Sequence, residues 1–246
     1  MTAGGGGLSP RLDEIDVVIF DKDGTLIEFD AMWGGWALEL ATRLGRAVGK
    51  PVAPGLFAML GYDPETGRVL PGGALIATPM ARTRDRVLEL LIDDGLTARA
   101  AGRALDEAWH APDPVGLARP LADLEGLFGS LHAGAKRIAV ATNDDREPTE
   151  RTLTALSLAG LIDASVCADD GIAVKPAPDM VLYLCAKLGI QPSRVAVVGD
   201  SGADLEMGRG AGAGLVVGVL TGVGGRASLA RDADLILASV ADLALN

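Results

Sequence analysis

Five short runs of strand-forming hydrophobic residues recur along the chain, with helical stretches between them. In chain order they are Ile15–Phe20, Arg137–Ala141, Ala164–Cys167, Val195–Gly199 and Leu215–Val219. Runs that are apolar at nearly every position suit strands covered on both faces, as in a parallel sheet with crossover helices. The segments Pro148–Leu158 and Pro178–Leu188 have the apolar spacing of helices. We therefore predict an α/β fold with a doubly wound, mostly parallel, Rossmann-like sheet.

One long segment, residues 29–117, interrupts this alternation with helical patterns and little strand signal. On one side of a helix it places four large apolar residues, Trp33, Trp36, Leu40 and Leu44. We predict that this segment is an all-helical cap domain inserted into the α/β core. The core domain is then formed by residues 1–28 and 118–246, with residues 1–12 as a flexible tail.

Charge and composition limit the partners and the location of the protein. The formal net charge of −11 argues against a nucleic-acid partner, because phosphate backbones are bound mainly by clustered Lys and Arg. The sequence has no apolar stretch long enough for a membrane span and no signal-peptide pattern at its start. Cys167 and Cys185 lack the spacing of a metal site and indicate no disulfide framework. We expect a cytoplasmic protein that acts on a small molecule; the sequence leaves its oligomeric state open.

Polar residues follow several of the predicted strands, where each strand ends. The polar residues that directly follow strands, or lie a few residues beyond them, are Asp21, Asp23, Thr142, Asn143, Lys175, Asp200 and Asp204. Function in open α/β sheets gathers at the carboxyl ends of the strands, so we expect these side chains to converge. Several carboxylates at one edge repel each other unless a cation is bound, and Mg²⁺ prefers such oxygen ligands. A lysine and neutral donors beside such a metal suit a phosphoryl group.

The spacing of the first two acids suggests how the phosphoryl group is transferred. An Asp can attack phosphorus and form an aspartyl-phosphate, which water then cleaves. A second Asp, two residues further on, can protonate the leaving oxygen and later activate the water. Gly24 permits the tight turn that returns Asp23 towards Asp21.

Four segments resemble, in order, the four motifs of the haloacid-dehalogenase-like (HAD) superfamily. They are DKDGTL (21–26), VATN (140–143), VKPAPD (174–179) and VVGDSGADLEMGRGAG (197–212). The end of the chain also resembles phosphoglycolate-phosphatase-like members of the superfamily. Each motif alone is of limited specificity, whereas all four in this order are highly specific.

The resemblance implies a role for each acid. Asp21 would be the nucleophile and also a ligand of Mg²⁺. Asp23 would be the general acid and base, with its backbone carbonyl on the metal. Asp200 would be the second metal-binding carboxylate, and Asp204 either a ligand or an outer partner.

It also implies a phosphate-binding set and a moving cap. The Thr142 hydroxyl and the Asn143 backbone would bind the phosphoryl group, and Lys175 would steady both it and the nucleophile. The helical insertion would close over the site and exclude water. Lys22 departs from the family pattern, because a hydrophobic residue is common at this position; the sequence leaves its role open.

These observations predict a Mg²⁺-dependent phosphatase that hydrolyses a small phosphate monoester, with phosphoglycolate or a sugar phosphate as candidates. A phosphosugar mutase is an alternative, although Thr25 favours hydrolysis because such mutases often carry Val there. A phosphonate hydrolase would need a Schiff-base lysine, and Lys50 is the only lysine in the predicted cap. A non-catalytic phosphate-binding protein is the remaining alternative.

Overall fold

The computed structural model describes residues 12–70, 73–78, 80–110, 112–113 and 116–244. By their contacts they form two compact units, one containing the chain up to Glu28 and from Pro120 onwards, the other Phe29–Arg119. The tail predicted over residues 1–12 lies outside the described residues except for Leu12. That residue is buried in the core, so the prediction of a flexible tail is wrong there. Across the described ranges, no helix has both the length and the apolar character needed to cross a membrane.

The described residues contain eight β-strands. In chain order they are β1 (Val17–Phe20), β2 (Tyr62–Asp63), β3 (Arg68–Val69), β4 (Arg137–Ala141), β5 (Ala164–Val166), β6 (Val195–Gly199), β7 (Leu215–Val219) and β8 (Leu235–Leu237). Six of them form one sheet in the order β5-β4-β1-β6-β7-β8, and every neighbouring pair is parallel. The predicted parallel sheet is confirmed. β8 was not predicted because its hydrophobic run is only three residues long and half-buried, too short to be distinguished as a strand.

Ten α-helices lie in the described ranges. They are α1 (Phe29–Val48), α2 (Ala53–Leu60), α3 (Ala74–Ala77), α4 (Met80–Asp93), α5 (Ala98–Ala108), α6 (Leu124–Ala133), α7 (Arg146–Ala155), α8 (Asp179–Leu188), α9 (Gly202–Ala211) and α10 (Arg226–Leu229). The first five belong to the inserted unit and the last five to the unit that holds the large sheet. The helices predicted over Pro148–Leu158 and Pro178–Leu188 correspond to α7 and α8. α7 begins two residues earlier than predicted, and α8 begins one residue later.

The large sheet carries a hydrophobic core on each face. Residues of a strand point alternately to opposite faces, so Phe20 packs with Phe128 of α6 while Ile19 packs in a second cluster with Leu184 of α8. The Phe20 and Phe128 ring centroids are 5.3 Å apart. Helices on both faces confirm the doubly wound α/β fold.

The inserted unit is built around α1. This helix buries the four apolar residues expected to share a side, Trp33, Trp36, Leu40 and Leu44. The unit is not entirely helical, however, because β2 and β3 form a small antiparallel ribbon in which Tyr62 pairs with Val69. Strands of two residues are too short to produce an alternating pattern, so this ribbon could not be predicted from the sequence.

Candidate active site

The register of the central strands brings three strand ends together. Phe20 of β1 lies opposite Val140 of β4 and Val198 of β6. The backbone N–H of Asp21 also donates to the carbonyl of Val198, at 2.9 Å. The residues that follow β1, β4 and β6 therefore leave the sheet side by side, at its carboxyl edge.

Lys175 joins two of the predicted acids at this edge. Its Nζ donates to Oδ1 of Asp21 and to Oδ1 of Asp204, both at 2.6 Å. Asp21, Asp200 and Asp204 each place a carboxylate oxygen within 4.8 Å of the others, and all three side chains are buried. The structure thus brings together four of the predicted residues from distant parts of the chain.

The turn after β1 places its backbone close to Asp200. Gly24 has φ of +89°, and a Cβ atom at this position would lie 2.7 Å from Cγ of Asp200. A side chain at residue 24 would therefore be both strained and in collision with the carboxylate. The Asp200 carboxylate also accepts from the Thr25 hydroxyl at 3.4 Å and from the backbone N–H of Val223 at 2.7 Å. Each of the two Asp200 carboxylate oxygens therefore accepts a hydrogen bond that fixes the orientation of the side chain.

The beginning of α9 fixes Asp204. Ser201 is the N-cap residue, and Oδ2 of Asp204 accepts from the Ser201 backbone N–H at 3.0 Å and from its hydroxyl at 2.5 Å. This reciprocal capping box is a common start for a helix. Because Lys175 occupies Oδ1, both oxygens of Asp204 already have protein donors. Asp204 thus contacts Lys175 and also belongs to the group of three clustered carboxylates.

The charges of this cluster are not balanced by the protein alone. Burial, with the neighbouring acids, raises the pKa of Asp21 to about 7 even though Lys175 acts in the opposite direction. Burial and the charges of Asp21 and Asp204 likewise raise the pKa of Asp200. Burial lowers the pKa of Lys175, but the adjacent carboxylates outweigh it, so the net shift is upward. Lys175 therefore stays protonated, and its single positive charge serves three buried carboxylates, Asp21, Asp200 and Asp204.

The donor set of this cluster fits a magnesium ion. Oδ2 of Asp21 is buried and has no hydrogen-bond partner in the described part of the chain. Mg²⁺ takes oxygen ligands and commonly binds through one or two carboxylates. A buried carboxylate oxygen without a partner, next to a second acid with a raised pKa, is the local charge pattern that such a cation relieves.

Asn143 and Thr142 follow β4 and make different contacts. The Asn143 side chain accepts from the backbone N–H of Lys175 at 3.0 Å and donates to its carbonyl at 3.3 Å, and so holds the Lys175 backbone. The buried Thr142 hydroxyl accepts from the backbone N–H of Asp144 at 3.1 Å. The structure thus links Asn143 directly to Lys175, whereas Thr142 is linked to Asp144.

A second buried ion-pair group lies beside the first, and the sequence did not reveal it. Lys22 Nζ lies 2.6 Å from Oδ2 of Asp23 and 3.2 Å from Oδ2 of Asp144. Burial lowers the pKa of Lys22, but the two carboxylates outweigh it, so its pKa is raised overall. Asp144 directly follows Asn143 at the carboxyl edge of the sheet, and this position was the signal that could have identified it.

Known proteins resemble the chain along most of its length. Residues 15–212 match the family described as haloacid dehalogenase-like hydrolase. A phosphoglycolate phosphatase from Rhodospirillum rubrum is 31% identical over 205 residues, covering 81% of this chain and 78% of the relative. Another phosphoglycolate phosphatase, from Aquifex aeolicus, is 26% identical over 196 residues, which cover 80% of this chain and 81% of the relative. A haloacid dehalogenase-like hydrolase from Streptococcus pneumoniae shares the fold with a TM-score of 0.65, at 16% identity and with 94% and 97% of the chains covered.

Proposed function

The chain belongs to the haloacid dehalogenase-like hydrolase family, in its phosphoglycolate-phosphatase-like branch, and we propose that it is a Mg²⁺-dependent phosphatase of small phosphate monoesters. One observation carries this proposal: Lys175 holds one oxygen of the buried Asp21 carboxylate and leaves the other without a hydrogen-bond partner in the described chain. A carboxylate that is fixed in place, with one free oxygen, is arranged as a nucleophile.

In the proposed first step, the Asp21 carboxylate forms a bond to phosphorus and the ester P–O bond breaks. The leaving alkoxide takes a proton from Asp23, which acts as general acid. In the second step water attacks the phosphorus of the aspartyl-phosphate, and Asp23 accepts the proton of the water. Inorganic phosphate is released, and the Asp21 carboxylate is restored.

Charge neutralisation is divided among the residues of the cluster. Asp21, Asp200 and the backbone carbonyl of Asp23 would hold Mg²⁺, with Asp204 supporting Lys175. When bound, the ion supplies positive charge for the acids and for the transferring phosphoryl group. Lys175 supplies a fixed positive charge next to the nucleophile, which stabilises the negative charge that is spread over the phosphoryl oxygens.

The residues after β4 would bind the phosphoryl group. Thr142 offers its hydroxyl and Asn143 its backbone N–H, while the Asn143 side chain keeps Lys175 in place. Positioning of this kind contributes much of the rate in phosphoryl transfer, because little covalent chemistry is left for the protein.

We propose phosphoglycolate or a sugar phosphate as the substrate, and a cytoplasmic location. Two of the similar proteins are named phosphoglycolate phosphatases, which supports a small phosphorylated acid. The inserted helical unit, Phe29–Arg119, would act as the cap that selects among such esters and closes during turnover.

The test is phosphate release from a panel of phosphorylated metabolites, with Mg²⁺ and with a chelator. We expect turnover only with Mg²⁺, and its loss in Asp21→Asn. Full activity in that variant would rule out the aspartyl-phosphate mechanism. Phosphate and Mg²⁺ binding without turnover on any ester would instead favour a non-catalytic phosphate-binding protein.

Two alternatives share the scaffold. A phosphonate hydrolase would need a neutral lysine in the helical unit, but Lys50 Nζ lies 2.8 Å from the Asp94 carboxylate and also donates to the Asp94 carbonyl. A salt-bridged, half-exposed lysine is poorly suited to form a Schiff base. A phosphosugar mutase would return an isomeric sugar phosphate and no free phosphate, so product analysis of the same panel separates it from the hydrolase.

A further inference from the structure

We propose that Lys22 is a positioning residue that holds the carboxylate of Asp23 in place for proton transfer, and that Asp144 anchors Lys22. This inference rests on the proposed phosphatase activity, in which Asp23 is the general acid and base. It assigns a role to the one residue of the DKDGT segment that departs from the family pattern.

The first observation is how Asp23 is held. Lys22 Nζ lies 2.6 Å from Oδ2 of Asp23, while Oδ1 of Asp23 is buried and has no hydrogen-bond partner within the described residues. One oxygen is therefore fixed and the other is free, which is what a group that moves protons needs. Asp21 is likewise contacted on one oxygen by a lysine, because Lys175 donates a hydrogen bond to it, whereas Lys22 contacts Asp23 as an ion pair.

The second observation is the burial of Lys22. Its side chain is 1% exposed and is among the largest fully buried side chains of the described chain. A buried ammonium ion is costly unless carboxylates pair with it, and Lys22 has two such partners, Asp23 and Asp144. Because the ammonium group is out of solvent, Lys22 acts through its partners and does not bind substrate directly.

The third observation is that Asp144 is itself held at a fixed point. Its Oδ1 accepts from the backbone N–H of Asp145 at 2.9 Å, which leaves Oδ2 for Lys22. The backbone N–H of Asp144 donates to the Thr142 hydroxyl at 3.1 Å. Contacts therefore run from the phosphate-binding Thr142 through Asp144 and Lys22 to Asp23. A hydrophobic residue at position 22 would break this connection at its centre.

The experiment compares kcat/KM for two phosphate esters that differ in their leaving group. This constant reports only the steps up to and including departure of the leaving group. An alkyl phosphate such as glycerol phosphate needs protonation of a strongly basic alkoxide, whereas p-nitrophenyl phosphate releases a weakly basic phenolate that needs little help. If Lys22 positions the general acid, Lys22→Met should lower kcat/KM about a hundredfold for the alkyl ester and only a few fold for the aryl ester.

Two further variants keep the test decisive. Asp144→Asn removes the negative charge that anchors Lys22, so it should lower the ratio of kcat/KM for the alkyl ester to that for the aryl ester, by a smaller factor than Lys22→Met. If Lys22→Met does not fold, this variant tests the proposal alone. Lys136→Met is the matched control, because this lysine lies in the same unit and binds the Ile15 carbonyl just before β1, away from the site. It should leave both rates and their ratio unchanged.

The outcomes separate the two proposals. Equal losses on both esters, or no loss on either, would overturn the role of Lys22 while leaving the phosphatase activity intact. A wild-type enzyme that releases phosphate from no ester of the metabolite panel with Mg²⁺ would instead overturn the proposed function, and the role of Lys22 with it. A selective loss on the alkyl ester in Lys22→Met or Asp144→Asn, with Lys136→Met unchanged, supports the inference.

Discussion

Lys175 and Asp21 form a 2.6 Å hydrogen bond inside the molecule although they lie 154 positions apart in sequence. The same ammonium group binds Asp204, which the start of α9 holds through Ser201. Because Asp204 lies on a capped helix and Asp21 directly after a buried strand, Lys175 is held between two rigid elements. Its position relative to Asp21, the proposed nucleophile, is therefore set before any substrate arrives.

The first prediction concerns Lys175→Met. Removing one donor from such a charge-stabilising site lowers kcat by a factor of about 10² to 10³ in comparable cases, and we expect a loss of that size. The variant also leaves two buried carboxylates unpaired, which costs about 3–5 kcal/mol of stability. Steady-state kinetics with saturating Mg²⁺ and a thermal melt measure both effects. The control is Lys187→Met on the exposed side of α8, and an equal loss of kcat there would contradict the prediction.

The second prediction concerns pH and Mg²⁺. The pKa of Asp21 is about 7 in the folded protein against 3.8 as its ordinary value, and that of Asp200 is also raised. Between these two pH values the folded state keeps protons that the unfolded state has released. The contribution of these two acids to the stability of the metal-free protein therefore falls as pH rises from about 4 to about 7.

If the proposed function holds, Mg²⁺ reverses the effect, because it would bind the deprotonated acids. We expect the rise in Tm that Mg²⁺ produces over a chelator to be larger at about pH 8 than at about pH 5, where protons compete with the ion. Differential scanning fluorimetry at both pH values measures it. An equal rise at both would show that the titrating acids do not bind the ion. In Asp200→Asn the rise should shrink at both pH values.

The fold and the main cluster were predictable from sequence for a simple physical reason. Parallel strands buried on both faces read as continuous hydrophobic runs, and their carboxyl ends must lie at one edge. Residues directly after such runs, like Asp21 and Asp200, can therefore be brought together without knowing the structure. Lys175 does not follow a strand directly, and only the motif order indicated its place.

What the sequence did not show depends on side-chain contacts within the folded core. Lys22 alternates with two acids and looks like a solvated residue, yet it is buried because Asp23 and Asp144 compensate its charge. No periodicity encodes that pairing, since Asp144 belongs to another strand end. The ribbon of β2 and β3 could not be predicted for a different reason, because a strand of two residues is too short to show an alternating pattern.

The third prediction concerns Gly24→Ala. The left-handed backbone at φ +89° costs about 1–2 kcal/mol for a residue with a Cβ, and this Cβ would also lie 2.7 Å from the Asp200 carboxylate. We expect weaker Mg²⁺ binding and lower kcat in addition to lower stability. Gly189→Ala separates the two causes, because Gly189 has φ of +67° and nothing lies within 4 Å of its Cβ position. That control should lose stability alone, and normal activity in Gly24→Ala would contradict the close approach.

The fourth prediction concerns Asn143→Ala. The change removes both side-chain bonds to the Lys175 backbone, each contributing about 0.5–1.5 kcal/mol to stability. Because Lys175 is then less well positioned, we expect kcat to fall about tenfold or more. If Asn143 acts through Lys175, its effect should nearly vanish in a Lys175→Met background. Full additivity of the two losses in the double variant would show that the Asn143 side chain acts independently.

The fifth prediction concerns the helical unit and uses the position of the tryptophans. All three tryptophans of the chain, Trp33, Trp36 and Trp109, lie in Phe29–Arg119, so tryptophan fluorescence reports on that unit. The Trp36 side chain is fully buried, and its Nε1 donates to the His110 carbonyl at 2.8 Å. Trp36→Ala should cost this unit about 3–5 kcal/mol through the cavity and the lost bond.

The fluorescence transition of Trp36→Ala should then occur at a lower temperature than that of the wild type, and before the main far-UV circular dichroism transition. The acids and Lys175 belong to the other unit, so Mg²⁺ should still raise the temperature of the later transition. Leu38→Ala is the control on the same helix, because Leu38 is 46% exposed and should change stability by no more than about 0.5 kcal/mol. A single transition at the wild-type temperature, or loss of the Mg²⁺ effect, would contradict separate stabilisation of the two units.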